Sequence, residues 1–244
     1  MLLRTNAKLQ KSTDQTTKYS LTGLTLAPHS VSGHEVCHGS SEGCRNSCNM
    51  LFAGLRVTPQ ARYAAVAQTL WLFDDRESFL AHLHRDIGQH LRRSEKLQLV
   101  PLIRLNMASD LDWTEVIEKW PDVTFVDYTK IRSRFESYLN GKLPKNYHLT
   151  FSRHEKHTER LLASFLQRGG NVSQVFDIAY NGTRGTFGAL PEFATIADLK
   201  VPVIDGDKHD VRLPQVDGSG VIVGLRVKGT NVAKESARKS GFAK

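Results

Sequence analysis

From Leu99 onward the chain alternates short apolar runs with stretches of helical period. The runs are Leu99–Leu105, Val123–Val126, Tyr147–Phe151, Val172–Phe176, Val201–Ile204 and Val221–Leu225. Between the early ones lie helical segments over Trp113–Trp120, Ile131–Leu139 and Glu155–Gln167. Strands separated by helices of this length imply parallel βα units sharing one sheet. Upstream, Leu21–Leu26 alternates and then meets Ala27-Pro28, which predicts one more strand running into a loop. From Pro59 the pattern turns helical, with Asp74-Asp75 as a break and a new N-cap. Phe79, Leu83, Ile87 and Leu91 then recur every four residues, an amphipathic helix of about five turns. About seven strands in this grammar predict an α/β fold, a single (β/α) barrel-like domain, complete or incomplete, with an N-terminal cysteine loop. The boundaries are a basic N-terminal arm over 1–20, loosely packed, the barrel-like catalytic domain over 21–230, and a basic tail over 231–244. Residues 178–200, with Gly182, Gly185 and Gly188, read as a mobile loop. No G-x-G-x-x-G follows a strand and no P-loop is present, so the nucleotide-binding fingerprints are absent.

The totals narrow the class. In 244 residues, 40% hydrophobic and 24% charged, there is enough apolar material for a proper core. A net charge of +8 favours polyanionic partners: nucleic acid, DNA before RNA, or a nucleotide. Much of the excess sits near the end, where Arg226, Lys228, Lys234, Arg238, Lys239 and Lys244 face one acid, Glu235. No apolar run approaches the roughly 18 residues of a membrane span, and the N-terminus lacks a signal-peptide core. The expected location is the cytoplasm.

All three cysteines, Cys37, Cys44 and Cys48, fall within twelve residues. Where thiols stay reduced, so tight a group reads as a metal or cluster site, and an odd count argues against simple pairing. Three thiolates hold zinc if a fourth ligand arrives, with His29, His34 and His38 nearby, and the site is then structural. They hold an iron–sulfur cluster with one iron left open, and the site is then a reaction centre. The C-x6-C-x3-C spacing fits neither zinc-ribbon pairs nor a C-x3-C-x2-C loop, and three unliganded thiols stay open as well.

In parallel βα architectures the chemistry lies at the carboxyl ends of the strands. Those ends here deliver Asn106, Ser109 and Asp110; Asp127 and Lys130; Ser152 and Arg153; Asp177; Asp205, Asp207 and His209; and Lys228. The cysteine loop follows the first strand and belongs to the same rim. Asp177 and Ser109 also suit helix or turn caps. The 205–210 acids with His209 could bind a cation or form a turn. Arg104, inside an apolar strand, needs an anionic partner.

Several of these stretches together resemble the phage gene 88 protein family, from about Leu21 to Phe242. They are L-A-P-x-S-x-S-G before the cysteines, R-L-N-x-x-S-D, D-Y-T-K, N-Y-H-L-T-F-S-R, V-I-D-G-D-x-H-D and the closing G-V-I-V-G-L-x-x-K-G. A broader likeness is to the phage three-Cys-motif family of the gene 37/gene 68 type. Its pattern matches Cys37, Cys44, Ser109, Asp110, Thr129, Lys130, Leu143, Pro144, Asn146 and Ser152, with Cys48 one residue beyond the usual place. Such proteins look like relatives of radical S-adenosylmethionine enzymes. The resemblance implies a [4Fe–4S] cluster on Cys37, Cys44 and Cys48, with S-adenosylmethionine on the fourth iron. On that reading Asp110, Asp127 and Lys130 position cofactor or substrate, and Arg104 and Arg153 hold phosphate or carboxylate. A second reading is similar to tRNA-guanine transglycosylase barrels that insert a deazaguanine base into DNA. There a three-Cys, one-His zinc is structural, and Asp110 and Asp127 divide the roles of nucleophile and general base. A third is a zinc-stabilised nucleic-acid-binding accessory protein without turnover, binding through the basic tail.

Overall fold

The apolar runs become seven parallel strands in the structure, a computed structural model that describes residues 1–5, 7–16, 18–53, 58–181 and 186–244. In chain order the elements are β1 (Leu3–Arg4), α1 (Ala7–Thr16), β2 (Tyr19–Leu24), α2 (Glu42–Asn46), α3 (Asn49–Phe52), α4 (Pro59–Asp74) and α5 (Arg76–Lys96). There follow β3 (Val100–Arg104), α6 (Thr114–Glu118), β4 (Thr124–Thr129), α7 (Arg132–Leu139), β5 (Tyr147–Ser152), α8 (Glu159–Gln167) and β6 (Val172–Asn181). The chain closes with β7 (Thr186–Phe187), β8 (Phe193–Ile196), β9 (Leu199–Asp205), α9 (Pro214–Asp217), β10 (Ile222–Val227) and α10 (Asn231–Lys239).

The sheet order is β1-β2-β3-β4-β5-β6-β10-β9-β8, with β7 paired to β6. Strands β2 to β6, β10 and β9 pair in parallel, while β1 and β8 add antiparallel edges. The expected α/β class is present; closure into a barrel is not, because among the described residues the two ends of that order do not pair. The chain enters β10 between β6 and β9, so the β9 unit ends as an edge covered by its own hairpin partner β8.

Alternation along the strands explains the two faces. Ile103, Phe125, Leu149, Phe151 and Val172 join Phe79, Leu83, Ile87, Trp113, Phe135 and Phe165 in the main apolar cluster, between sheet and helices. Leu102 and Val126, one residue out of phase, face the opposite side with Tyr19, Leu21, Leu9, Val211 and Leu213. The sheet's second face is thus covered by α1 and by the segment before α9. Within the expected arm over 1–20, Leu2, Leu3 and Leu9 are packed and buried, and Asp86 of α5 accepts the Leu2 and Leu3 N–H groups. Asp75 caps α5, accepting from the Ser78 N–H at 3.1 Å, as the acidic break implies. The tail folds as α10, capped by Thr230 and buried through Ala233 and Ala237. Beyond it, Ala243 pairs with Val175 of β6. Of the expected loop over 178–200, residues 182–185, with Gly182 and Gly185, lie outside the described residues; the described part carries the end of β6, β7, β8 and the start of β9. No described helix is long and apolar enough to cross a membrane.

Candidate functional site

The cysteine loop leaves β2 and folds over the carboxyl ends of β3, β4 and β5. The Asp110 N–H donates to the Val36 carbonyl at 2.7 Å, and the Cys37 thiol donates to the Ala108 carbonyl at 3.3 Å. Space beside the loop is tight at Gly39 and Gly43. A Cβ at Gly39 would come within 2.8 Å of the Lys130 Cβ, and one at Gly43 within 2.6 Å of the Ser240 hydroxyl. Glu155, just past β5, accepts from the Ser41 hydroxyl at 2.7 Å and the Gly43 N–H at 3.0 Å, which pins the start of α2. Glu35 accepts the Cys37 N–H at 2.7 Å and pairs with Arg45 at 2.8 Å.

Burial pushes the Cys37 thiol up to about 12, and the charges of Cys48 and Cys44 act in the same direction. Burial also raises Cys48, with a smaller push from Cys44. Each of the two buried thiols therefore lies within electrostatic range of the other cysteines. Backbone N–H groups already aim at them: His29 donates to Cys37 Sγ at 3.2 Å, and Met50 and Leu51 at the start of α3 act on Cys48. The Lys130 charge favours both thiolates. All three cysteines are free and half-buried. Among the described residues no three Cys, His, Asp or Glu side chains stand as a ready-made site for a metal ion. Of the nearby histidines, His34 stacks on Phe73 with centroids 4.1 Å apart, and His29 turns its Nδ1 to the Ser30 hydroxyl.

Around the thiols the rim carries Lys130, whose ammonium lies 2.6 Å from the Ser152 hydroxyl, and the stacked rings of His154 and His157. Asp110 accepts the Lys130 N–H at 2.7 Å and pairs with Arg134 of α7. Its neighbour on β4, Asp127, is fully buried and accepts from the Asn106 N–H at 2.8 Å and the Tyr147 hydroxyl at 3.3 Å. Burial, opposed by Arg104, pushes the Asp127 carboxyl up to about 7. Asn106 spends its side chain on the local turn, its Oδ1 accepting from the Ser109 hydroxyl, the Leu111 N–H and the Trp113 indole. Arg153 donates to the carbonyls of Phe242 at 3.0 Å and Gly241 at 3.2 Å.

The remaining polar residues form other groupings. Arg104 pairs with Asp210 at 3.3 Å and lies over the Tyr128 ring at 5.0 Å. Arg212 and Asp217, both buried, pair at 3.1 Å, and the Arg212 guanidinium also reaches the His209 ring at 3.1 Å. Asp205 and Asp207 clasp Arg226, and Lys228 joins Asp207. Asp177 pairs with Arg238 at 2.7 Å on the surface. Sequence reasoning missed Arg134, Glu155, Arg212, Asp217 and the His154–His157 pair as partners. Only the last had a local signal, two histidines three apart immediately after a strand.

One family model, described as Gene product 88, matches residues 1–244, the whole chain. No curated protein and no solved structure matches it.

Proposed function

We propose that this chain, which belongs to the gene product 88 family, is a metal-dependent enzyme that holds an iron–sulfur cluster on Cys37, Cys44 and Cys48 and modifies nucleic acid or a nucleotide. The observation that carries this reading is that all three cysteines fall within twelve residues, on a loop whose Cys37 thiol donates to the Ala108 carbonyl just past β3, where a parallel sheet places its chemistry. The donor set fits such a group. Three cysteines within twelve residues can supply thiolates to three irons of a cluster and leave the fourth iron open. N–H groups aimed at Cys37 and Cys48 suit sulfur that carries negative charge, and the lysine beside them adds to that field.

A cluster bound there would supply an open iron to bind and reduce S-adenosylmethionine. The protein's own part is to hold that centre and orient the reacting partner. Glu155 and Glu35 fix the loop; Gly39 lets it lie directly on Lys130. Lys130 and Ser152 face the same space as the thiols. The open seven-stranded parallel sheet is read as a partial barrel that leaves room for a large substrate. The base-exchange reading with structural zinc has less support: Asp127 is fully buried and Asp110 is tied to Arg134. The setting proposed is the cytoplasm, where thiols stay reduced.

Anaerobic purification followed by metal and sulfide analysis tests the proposal. Iron with acid-labile sulfide and a brown absorbance band near ~400 nm are expected, and Cys37→Ala, Cys44→Ala and Cys48→Ala should each lose them. Stoichiometric zinc without iron would sink it.

A further inference from the structure

Lys130 follows the last residue of β4, and its ammonium donates to Ser152 at the end of β5. The Phe242 ring lies beneath it, 6.0 Å from nitrogen to centroid. The carboxylates around it are engaged elsewhere, Asp110 with Arg134 and Glu155 with Ser41 and Gly43. Arg153, the next cation, gives two of its five N–H donors to carbonyls, which leave its charge standing. Beside these cations the rings of His154 and His157 stack with centroids 3.5 Å apart, and His157 rests on Phe151 at 4.7 Å. The Lys156 N–H donates to His154 Nδ1 at 3.1 Å, and the His154 N–H donates to His157 Nδ1 at 3.3 Å. Each neutral ring therefore carries its proton on Nε2 and presents a donor. Burial first, with Lys130 adding to it and, for His157, the neighbouring His154 ring as well, holds both histidines down at about 4, so they are uncharged donors at neutral pH. The group as a whole is rich in donors and positive charge and poor in acceptors.

We propose that Lys130, Ser152, His154 and His157 form a site for one anionic oxygen group, a phosphate or a carboxylate, carried by the substrate to the rim beside the three thiols. An ammonium as point charge with a hydroxyl and imidazole N–H groups is the donor set such a group requires. The site deepens the proposed function by naming what the substrate must carry, but its binding does not depend on the cluster.

The test is isothermal titration calorimetry on the full chain, purified anaerobically, with inorganic phosphate and separately with acetate at constant ionic strength. One anion per chain is expected. Lys130→Gln should weaken binding by about tenfold or more, as for loss of one charge-assisted hydrogen bond, and Lys130→Arg should keep most of it. His157→Phe preserves the ring stack, removes a donor and should weaken binding roughly threefold. Lys156→Gln should weaken binding far less than Lys130→Gln, because the Lys156 charge reaches the group only through its effect on His154. Tighter binding of phosphate assigns a phosphate; the reverse order assigns a carboxylate. A wild type that binds neither anion, a Lys130→Gln or His157→Phe protein that binds as tightly as the wild type, or equal losses in Lys130→Gln and Lys156→Gln would overturn the site. Iron is measured on the same samples. An iron-free protein that still binds through Lys130 would sink the cluster reading and leave the anion site standing.

Discussion

Two polar regions of this molecule look alike in sequence and differ in what their charges do. Around β9, α9 and β10 the charges close on one another. Arg226 sits between Asp205 and Asp207, Lys228 adds to Asp207, Arg104 meets Asp210, and Arg212 meets Asp217 with both side chains almost wholly out of solvent. At the cysteine rim two acids brace the loop, Glu35 on the Cys37 N–H and Glu155 on the Ser41 hydroxyl and Gly43 N–H, while Glu35 also pairs with Arg45 and Asp110 with Arg134. The Lys130 ammonium, by contrast, meets the Ser152 hydroxyl and lies over the Phe242 ring. Charges that neutralise each other in a buried pair hold an architecture, whereas charges without a close opposite partner attract something from outside.

Breaking a closed pair should have the largest effect. Arg212→Met leaves Asp217 buried without its counter-ion, and loss of one partner of such a pair costs about 3–5 kcal/mol. Urea denaturation should show that loss as a lower midpoint. A change under about 1 kcal/mol would mean that the closed region is not the structural half of the comparison.

The two regions should also respond to acid in opposite directions. Burial raises Asp217 from 3.8 to about 6 despite Arg212, so the folded state holds a proton there that the unfolded chain releases. Its contribution to stability is therefore greatest below pH about 4 and declines as pH rises toward 6. His154 and His157, lowered from 6.5 to about 4 by burial, with Lys130, Arg153 and Glu155 as the charges around them, act the other way. Their contribution is present above pH about 6.5 and is lost as pH falls through 4. Stability measured from pH 4 to 7 should lose part of its rise with pH in His154→Gln, and part of its opposing decline in Asp217→Asn. Identical pH profiles for the two variants would erase the distinction.

A smaller effect is expected at the rim's strut. Glu155→Gln keeps the shape but weakens two bonds to the α2 start, at a cost of about 1–2 kcal/mol for a half-exposed, charge-assisted pair. The sharper readout is local: limited proteolysis within residues 37–48 should speed up more than global unfolding does. Equal acceleration of both would show that Glu155 is no special support of the cysteine loop.

The strand grammar was readable because burial on both faces leaves continuous apolar runs, and each of the seven runs became a parallel strand. Placing polar residues at the carboxyl ends of the strands put Lys130 and Ser152 on one rim, where their side chains meet at 2.6 Å. The opening of the sheet was not readable, since which strand pairs with which depends on where a crossover lands, and β10 lands between β6 and β9. Nor were the partners. Ser41 and Glu155 meet across 114 residues, and nothing local in Asp110 distinguishes a base from the counter-ion of Arg134. Leu2, Leu3 and Leu9 were lost among polar neighbours, although they anchor the N-terminal elements.

The smallest effect belongs to the basic tail, the feature that most suggested a polyanion-binding element in the sequence. Three of its basic residues are already paired. Arg238 meets Asp177 and Glu235, Lys239 meets Glu235, and Lys244 meets Glu159 at 2.6 Å, on exposed side chains. Two others, Arg226 and Lys228, turn inward to Asp205 and Asp207. Exposed pairs contribute about 0–1 kcal/mol and are screened by salt. Glu159→Gln should therefore shift stability by about 0.5 kcal/mol or less, an effect that disappears in high salt. The same pairing limits what the tail has left for phosphates. Lys244→Gln should lower the salt slope of any DNA binding by less than about one phosphate contact, while Lys130→Gln should weaken binding of the substrate's own anionic group. A tail variant that reduced DNA binding more than Lys130→Gln does would move the recognition surface from the rim to α10 and reverse the comparison.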